Sequence, residues 1–207
     1  MRISPDLALE QTLWEKGLVY LAGIDEAGRG AWAGPVAAGA AVLPTSPDLL
    51  ERLKGVRDSK QMTPAQRTAW AQKIKEQALS WGVGMASQEE IDTLGILPAT
   101  RLAMQRAIEA LSPSPQHLLI DAVRLPGCNL PQTSLIKGDV HCLSIAAASV
   151  LAKTARDSLM ISLEQDYPGY GFAAHKGYGT AAHRAALQSL GTCALHRRSF
   201  APIRDFG

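Results

Sequence analysis

Apolar residues fall into short unbroken runs and longer spaced stripes, and the alternation of the two lays out the elements. Leu18 to Ile24 and Val36 to Leu43 are nearly continuous apolar runs of strand length, separated by a glycine-rich loop, which predicts two adjacent strands. Ahead of them, Ser4, Pro5 and Asp6 have the order of an N-cap, a first-turn proline and an acid at the positive end of a helix dipole. They predict a first helix from Ser4 to about Gly17. Thr63-Pro64-Ala65-Gln66 has capping-box spacing and opens a helix predicted to reach about Ser80, with a short strand, Gly82 to Ala86, behind it. Ser87-Gln88-Glu89-Glu90 repeats the capping signature. After Pro98, the spacing of Leu102, Ile108 and Leu111 predicts a helix that ends before the Ser112-Pro113-Ser114-Pro115 loop. Leu118 to Ile120 is an apolar run ending in Asp121, Ser134 to Lys137 has the length of a short strand, and Leu143 to about Leu163 is a long alanine-rich helix. Strands and helices intermix without an internal repeat. The expected class is α/β, a mixed sheet flanked by helices, with the glycine-rich, basic region after Tyr167 lying against it.

Composition narrows the picture. A chain of 207 residues with 46% hydrophobic content can bury one good core, so one catalytic-sized domain over residues 1–207 is expected, with about 167–207 as an appended segment. No stretch approaches ~18 uncharged apolar residues, and the leading MRISPDLALEQ carries acids and no apolar signal core. The expectation is a cytoplasmic monomer without a membrane partner. Cys128, Cys142 and Cys193 are odd in number and form no C-x-x-C pair, which signals neither a disulfide framework nor a zinc site. The net charge of +2 says little, but its distribution is uneven: between Tyr167 and Arg204 no Asp or Glu occurs, while Lys176, Arg184, Arg197, Arg198 and Arg204 stand there with His175, His183 and His196. Such a segment is either a phosphate-binding face or an ordinary solvated one.

The most informative residues are Asp25 and Glu26, which end an apolar run that has every reason to be buried. Neighbouring strand residues point to opposite faces, so both reach one site only where the strand gives way to a loop, which Ala27-Gly28 supplies. Asp121 repeats the device after Leu118-Leu119-Ile120, and Asp139, between Gly138 and the start of a helix, is a fourth candidate. Carboxylates clustered in a partly desolvated site share protons or hold a cation. Oxygen-only donors with no matching His or Cys set favour Mg²⁺ or Mn²⁺ over Zn²⁺, and such sites commonly handle phosphates. Any one of these acids alone is better explained as a cap or turn residue; three or four together weaken that reading. Asp157 is left out of the set, because Lys153 precedes it by four residues and an intrahelical ion pair accounts for it.

Gly28-Arg29-Gly30-Ala31-Trp32-Ala33-Gly34-Pro35 follows the acid pair. It is not a dinucleotide fingerprint: the third glycine is misplaced, no helix start follows, and the carboxylates would repel a pyrophosphate. It reads either as a bare turn between strands or as a backbone surface that approaches a sugar closely enough to read a 2′-hydroxyl, which both donates and accepts. Arg29 would then serve a phosphate or an ion pair.

With these residues assembled, the chain strongly resembles the ribonuclease HII family, the type 2 ribonucleases H. The resemblance rests on GIDEAGRG from Gly23 to Gly30, AGPV from Ala33 to Val36, DSK from Asp58 to Lys60 and LID from Leu119 to Asp121. It continues through KGD from Lys137 to Asp139, SIAAASVLAKTARD from Ser144 to Asp157, HKGYGT from His175 to Thr180 and HRRSFAP from His196 to Pro202. It implies a ribonuclease H-like mixed sheet with a small helical C-terminal part, and four catalytic, metal-holding acids at Asp25, Glu26, Asp121 and Asp139. It further implies a sugar-reading loop at Gly28, Arg29 and Gly30 and a junction-reading tyrosine at Tyr178. Two positions depart from the family's usual pattern: Ala31-Trp32 replaces proline and an aliphatic residue, and Ala122 stands where glycine commonly follows the third acid.

The expected activity is hydrolysis of the RNA strand of RNA/DNA hybrids and incision at ribonucleotides embedded in duplex DNA. Water activated by one Mg²⁺ or Mn²⁺ would attack phosphorus in line while a second ion stabilises the leaving 3′-oxygen. The resemblance implies 3′-hydroxyl and 5′-phosphate ends. Lys60, Lys176, Arg197 and Arg198 are candidate phosphate contacts, which position a duplex without reading its sequence; for His175 and His183, phosphate contact or structural hydrogen bonding is favoured over metal ligation. A catalytically silent hybrid-binding module would not need four acids, and an ATPase of the same fold type would need a phosphate-cradling loop that is not readable here.

Overall fold

A computed structural model of the chain describes residues 4–206. Helix α1 (Ala8–Trp14) leads into β1 (Leu21–Ala27) and β2 (Val36–Val42); the short α2 (Leu49–Arg52) and a 3-10 turn (Ser59–Gln61) precede α3 (Pro64–Gln77) and β3 (Ser80–Ala86). Helices α4 (Gln88–Leu94) and α5 (Ile96–Glu109) follow, then β4 (His117–Asp121), β5 (Gln132–Leu135), the single turn α6 (Gly138–His141) and the long α7 (Leu143–Ser162). Three short helices complete the chain: α8 (Phe172–His175), α9 (Ala181–Leu190) and α10 (Ala201–Arg204). The strands form one sheet in the order β3-β2-β1-β4-β5. The β1-β2 and β2-β3 pairs are antiparallel, β1-β4 and β4-β5 parallel, so the sheet is mixed with β1 at its centre.

Both faces of the sheet are covered, which is why β2 is buried along its whole length and reads as a continuous apolar run rather than an alternating one. One face packs Ala22, Ile24, Ala38 and Ala40 against Ala99, Ala103, Met104 and Ala107 of α5. The other meets α7, whose Ala146, Ala147, Val150 and Leu151 share a cluster with Ala41, Leu43 and Ile74. The capping boxes behave as their spacing predicts. Thr63 accepts from Gln66 N–H while Gln66 reaches back to Thr63 N–H, and Ser87 does the same with Glu90.

Three boundaries differ from expectation. Helix α1 begins at Ala8 rather than Ser4, because residues around Asp6 are spent on a bridge to Cys142. Asp6 N–H donates to the His141 carbonyl at 3.1 Å, its carbonyl accepts from Leu143 N–H at 2.9 Å, and its carboxylate takes Ala8 N–H at 2.9 Å. Strand β5 lies earlier than Ser134 to Lys137, since pairing of Leu118 with Gln132 and of Asp121 with Leu135 leaves Lys137 in a left-handed turn, φ +58°. Strand β1 starts later than Leu18 and runs through both acids: Asp25 is opposite Gly39 and Glu26 opposite Ala38. The segment after Tyr167 packs against the end of α7 and the glycine-rich loop, with Ala33, Met160, Tyr170, Phe172 and Leu195 in one cluster. Among the described residues no helix is long and apolar enough to cross a membrane.

Candidate active site

The site forms at the ends of β1 and β4, where parallel pairing of Ile24 with Ile120 carries the acids that close each strand into one neighbourhood. Alternation places Asp25 on the α7 face, with Gly23, and Glu26 on the other, with Ile24. The loop expected to bring them together therefore begins only after both: strand pairing continues through Asp25, Glu26 and Ala27. Asp121 Oδ1 accepts Gly138 N–H at 2.7 Å, which ties the end of β4 to α6 and brings Asp139 beside it.

Asp25, Glu26 and Asp139 are held under electrostatic strain. Asp25 is 3% exposed; its Oδ1 takes the Glu26 N–H at 2.7 Å, and its Oδ2 is buried without a hydrogen-bond partner. Burial, and after it the charge of Glu26, pushes the Asp25 pKa well above the usual carboxylate range. Burial also raises Glu26 against the pull of Arg29, whose Nη1 lies 2.9 Å from Glu26 Oε1, while Glu26 Oε2 is buried and unpartnered. Asp139, 4% exposed, is raised by burial and then by Asp58 and Asp121. Lys60 Nζ lies 3.8 Å from Asp139 Oδ2. Partial burial works against its charge, but Asp25, Asp58, Asp139 and Asp121 outweigh it and hold its pKa above the usual lysine value. Among the described residues no three His, Cys, Asp or Glu side chains stand as close as a bound ion would draw them. The donors nevertheless suit a hard divalent cation: all are oxygen, and two point into the interior with nothing to accept.

The glycine loop is built from beneath by two arginines. Arg197, fully buried, donates from Nε to the Gly34 carbonyl at 2.9 Å, and from Nη1 and Nη2 to the Arg29 and Gly28 carbonyls, each at 2.8 Å. Arg156, also fully buried, reaches the carbonyls of Pro35 at 2.8 Å, Lys176 at 3.0 Å and Ala33 at 3.1 Å. The expectation that Arg197 meets a phosphate is thus corrected: its whole fork is occupied by loop carbonyls. Arg156 escaped the sequence reading, although Ala152 and Met160, one helical turn to either side, are buried and mark its stripe of α7 as interior. Asp58 was also passed over, within the same DSK motif that drew attention to Lys60. Gly28 needs to be glycine, with φ +89° and Arg156 Nε 1.9 Å from where a Cβ would stand, whereas nothing lies within 4 Å of a Cβ at Gly30, which faces open space.

Tyr178 is half-buried and is joined to the same loop. Trp32 and Ala33 N–H groups both donate to the Gly177 carbonyl, a Cβ on Gly177 would meet the Ala33 carbonyl oxygen at 2.5 Å, and one on Gly179 would meet the Trp32 ring at 2.1 Å. The tyrosine ring lies 5.4 Å from the Arg156 guanidinium, whose other side covers Gly28, and 5.0 Å from Lys153 Nζ. The remaining basic candidates stand apart from the acids. Lys176 directs its ammonium at the carbonyls of Ala173 and Ala174, and Arg198 is exposed beside α4, where its N–H is bound by Asp92. Asp157 pairs with Lys153 at 2.8 Å and also with Arg67 at 2.9 Å.

Comparison with known proteins agrees with this fold. The family profile described as Ribonuclease HII matches residues 22–203. A ribonuclease HII of Chloroflexus aurantiacus is 54% identical over 203 residues, covering 96% of this chain and 94% of that protein. One from Moorella thermoacetica is 51% identical over 199 residues, covering 96% and 95%. Among solved structures, the ribonuclease H2 of Pyrococcus horikoshii superposes with a TM-score of 0.76 at 28% identity, covering 90% of this chain and 96% of that one. The chain belongs to the ribonuclease HII family and is an endoribonuclease of the ribonuclease H type.

Proposed function

We propose that the enzyme hydrolyses the RNA strand of RNA/DNA hybrids and also cuts on the 5′ side of single ribonucleotides embedded in duplex DNA, leaving 3′-hydroxyl and 5′-phosphate ends. The observation that carries this reading is the pair of buried, unpartnered carboxylate oxygens of Asp25 and Glu26 beside a glycine loop whose Gly30 opens onto free space. Asp25, Glu26, Asp121 and Asp139 would hold Mg²⁺ or Mn²⁺, which when bound supplies an activated water and offsets charge at the scissile phosphate. The chain's own groups do the positioning. The backbone of Gly28 to Gly30, held by Arg197, offers polar atoms to a 2′-hydroxyl. Lys60 brings a cation to a centre that otherwise repels a phosphodiester. Tyr178, carried by the segment after Tyr167 and joined to the glycine loop through Gly177, would pack its ring on the following sugar, accepting deoxyribose and clashing with an added hydroxyl.

Asp25→Asn or Asp121→Asn should abolish cleavage while hybrid binding largely survives, since each removes one charged donor and leaves the side-chain volume nearly unchanged. Cleavage and binding are measured on a labelled hybrid and on a DNA duplex with one ribonucleotide. Near-wild-type turnover by either variant at saturating Mg²⁺ removes that residue from the catalytic set, and incision elsewhere than 5′ of the ribonucleotide overturns the substrate reading.

A further inference from the structure

Three histidines of the C-terminal segment gather beneath Tyr178, and the carboxylate site uses none of them. His183 is fully buried and His196 is 1% exposed. Their Nε2 atoms lie 3.0 Å apart, His183 Nδ1 is 3.0 Å from the Tyr178 carbonyl oxygen, and Cys193 N–H reaches His196 Nδ1 at 2.9 Å. These contacts dictate where the protons are. A carbonyl only accepts, so His183 Nδ1 carries the hydrogen and its Nε2 a lone pair. A backbone N–H only donates, so His196 Nδ1 accepts; the 2.9 Å contact outranks a 3.3 Å approach to the Cys193 carbonyl. His196 Nε2 then carries the hydrogen and donates to His183 Nε2. His175, stacked on His183 at 4.4 Å, has its hydrogen-bonding roles set by the same logic: Nε2 faces the Tyr170 carbonyl at 2.7 Å and donates, and Nδ1 accepts from Gly177 N–H at 3.1 Å. Burial, which pushes His183 down to about 4, keeps that ring uncharged at neutral pH.

We infer that the His183–His196 pair is a positioning device for Tyr178: a one-directional chain of hydrogen bonds runs from the Cys193 backbone through both rings to the Tyr178 carbonyl and sets where the tyrosine ring stands beside the glycine loop. Tyr178 needs such an anchor. It lies between Gly177, φ +79°, and Gly179; its N–H donates to the His175 carbonyl at 3.0 Å, and its carbonyl accepts from His183 Nδ1 and from Thr180 N–H. His183 also packs 5.7 Å from Trp32, which ties the pair to the loop side of the same joint. The inference rests on the reading of Tyr178 as the residue that checks the sugar after a ribonucleotide, and its test separates the two.

The test compares kcat/KM on a duplex containing one ribonucleotide with kcat/KM on a continuous hybrid, alongside Tm. His183→Asn keeps a donor near the Nδ1 position and gives up the atom facing His196; His183→Gln can keep an acceptor for His196 in its amide oxygen and gives up the donor to Tyr178. The expected result is a smaller fall in the substrate ratio for His183→Asn, which keeps the donor to Tyr178 but cuts the chain at His196, and a several-fold fall for His183→Gln, toward that of Tyr178→Ala. In the Tyr178→Ala background, His183→Gln should move the ratio no further. A ratio left at wild type by His183→Gln while Tyr178→Ala lowers it overturns the positioning role. An unchanged ratio in Tyr178→Ala overturns the junction reading and, with it, the consequence for specificity. Imidazole ¹⁵N spectra of the wild-type protein test the chain without any variant: Nδ1–H on His183 and Nε2–H on His196 are expected, and the opposite tautomers overturn it.

Discussion

At the scale of single residues, Arg197 and Arg198 are adjacent, carry the same charge and have opposite tasks. Arg197 satisfies three loop carbonyls, those of Gly34 and Gly28 through buried bonds, so Arg197→Ala should lower stability by on the order of 3 kcal/mol, because abandoned buried acceptors keep their desolvation penalty. Arg198 is exposed, and Arg198→Ala should leave Tm within a degree or two. If Arg198 meets a phosphate, its loss also flattens the dependence of hybrid affinity on salt. Thermal melts and a salt titration separate the two; an Arg197→Ala protein as stable as wild type refutes the structural assignment. Ala122 gives a prediction of the opposite sign. It is exposed with φ +52°, a region that disfavours a Cβ, which is the physical reason glycine is common at this position. Ala122→Gly should raise stability by about 1 kcal/mol, read from the denaturation midpoint at unchanged m-value.

At the scale of elements, the joint between α7 and the sheet decides how closely the site is assembled. A Cβ on Gly39 would stand 2.3 Å from the Ala148 carbonyl oxygen and 2.9 Å from Ala152 N, and one on Gly23 would meet the Ser144 carbonyl carbon at 2.1 Å. The obstacles are helix backbone, which has no rotamer to yield. Gly39→Ala should therefore lift α7 from the sheet and lower stability by at least about 1–3 kcal/mol. It should also slow cleavage, since Gly39 pairs with Asp25 and α7 carries the Arg156 that supports the loop. Denaturant unfolding with turnover on a hybrid checks both. A variant with normal stability and normal rate shows that the helix does not need this close approach.

At the scale of the whole molecule, stability should depend on pH through the buried histidines. Burial pushes His183 down to about 4 and lowers His196 as well, whereas in the unfolded chain both rings titrate near the ordinary histidine value. Between the two pKa values the unfolded state binds more protons, so stability is full above the unfolded value and is lost as pH falls toward the folded one. The slope reaches up to about 1.4 kcal/mol per pH unit for each ring. Asp25, Glu26 and Asp139 act in the opposite direction, because burial first and neighbouring acids after it raise their folded pKa values, so the folded state takes up protons before the unfolded one. The difference in unfolding free energy between wild type and His183→Asn cancels the acids. That difference should shrink from pH 7 to pH 5, and a constant gap would show that His183 is not held neutral by the fold.

Sequence alone determined what depends on neighbours along the chain. The capping boxes at Thr63 and Ser87, the buried runs that became β2 and β4, and the alanine-rich α7 are local signals, carried by side chains within a few residues of the backbone they satisfy. The acids were legible as charges terminating apolar runs, because no buried strand spends a carboxylate without a partner. Only the tertiary structure decided what a given charge is for. A count of basic residues treats Arg197, Arg198 and Lys176 alike. Yet carbonyls from residues 163 to 169 positions away occupy Arg197, and Lys176 folds onto its own helix end. The same holds for the start of α1, lost to a bridge with Cys142, for β1 continuing through Asp25 and Glu26, and for the histidine chain behind Tyr178. Each is a hydrogen bond between groups remote in sequence, and a one-dimensional pattern holds no record of which distant donor will meet which acceptor once the core has closed.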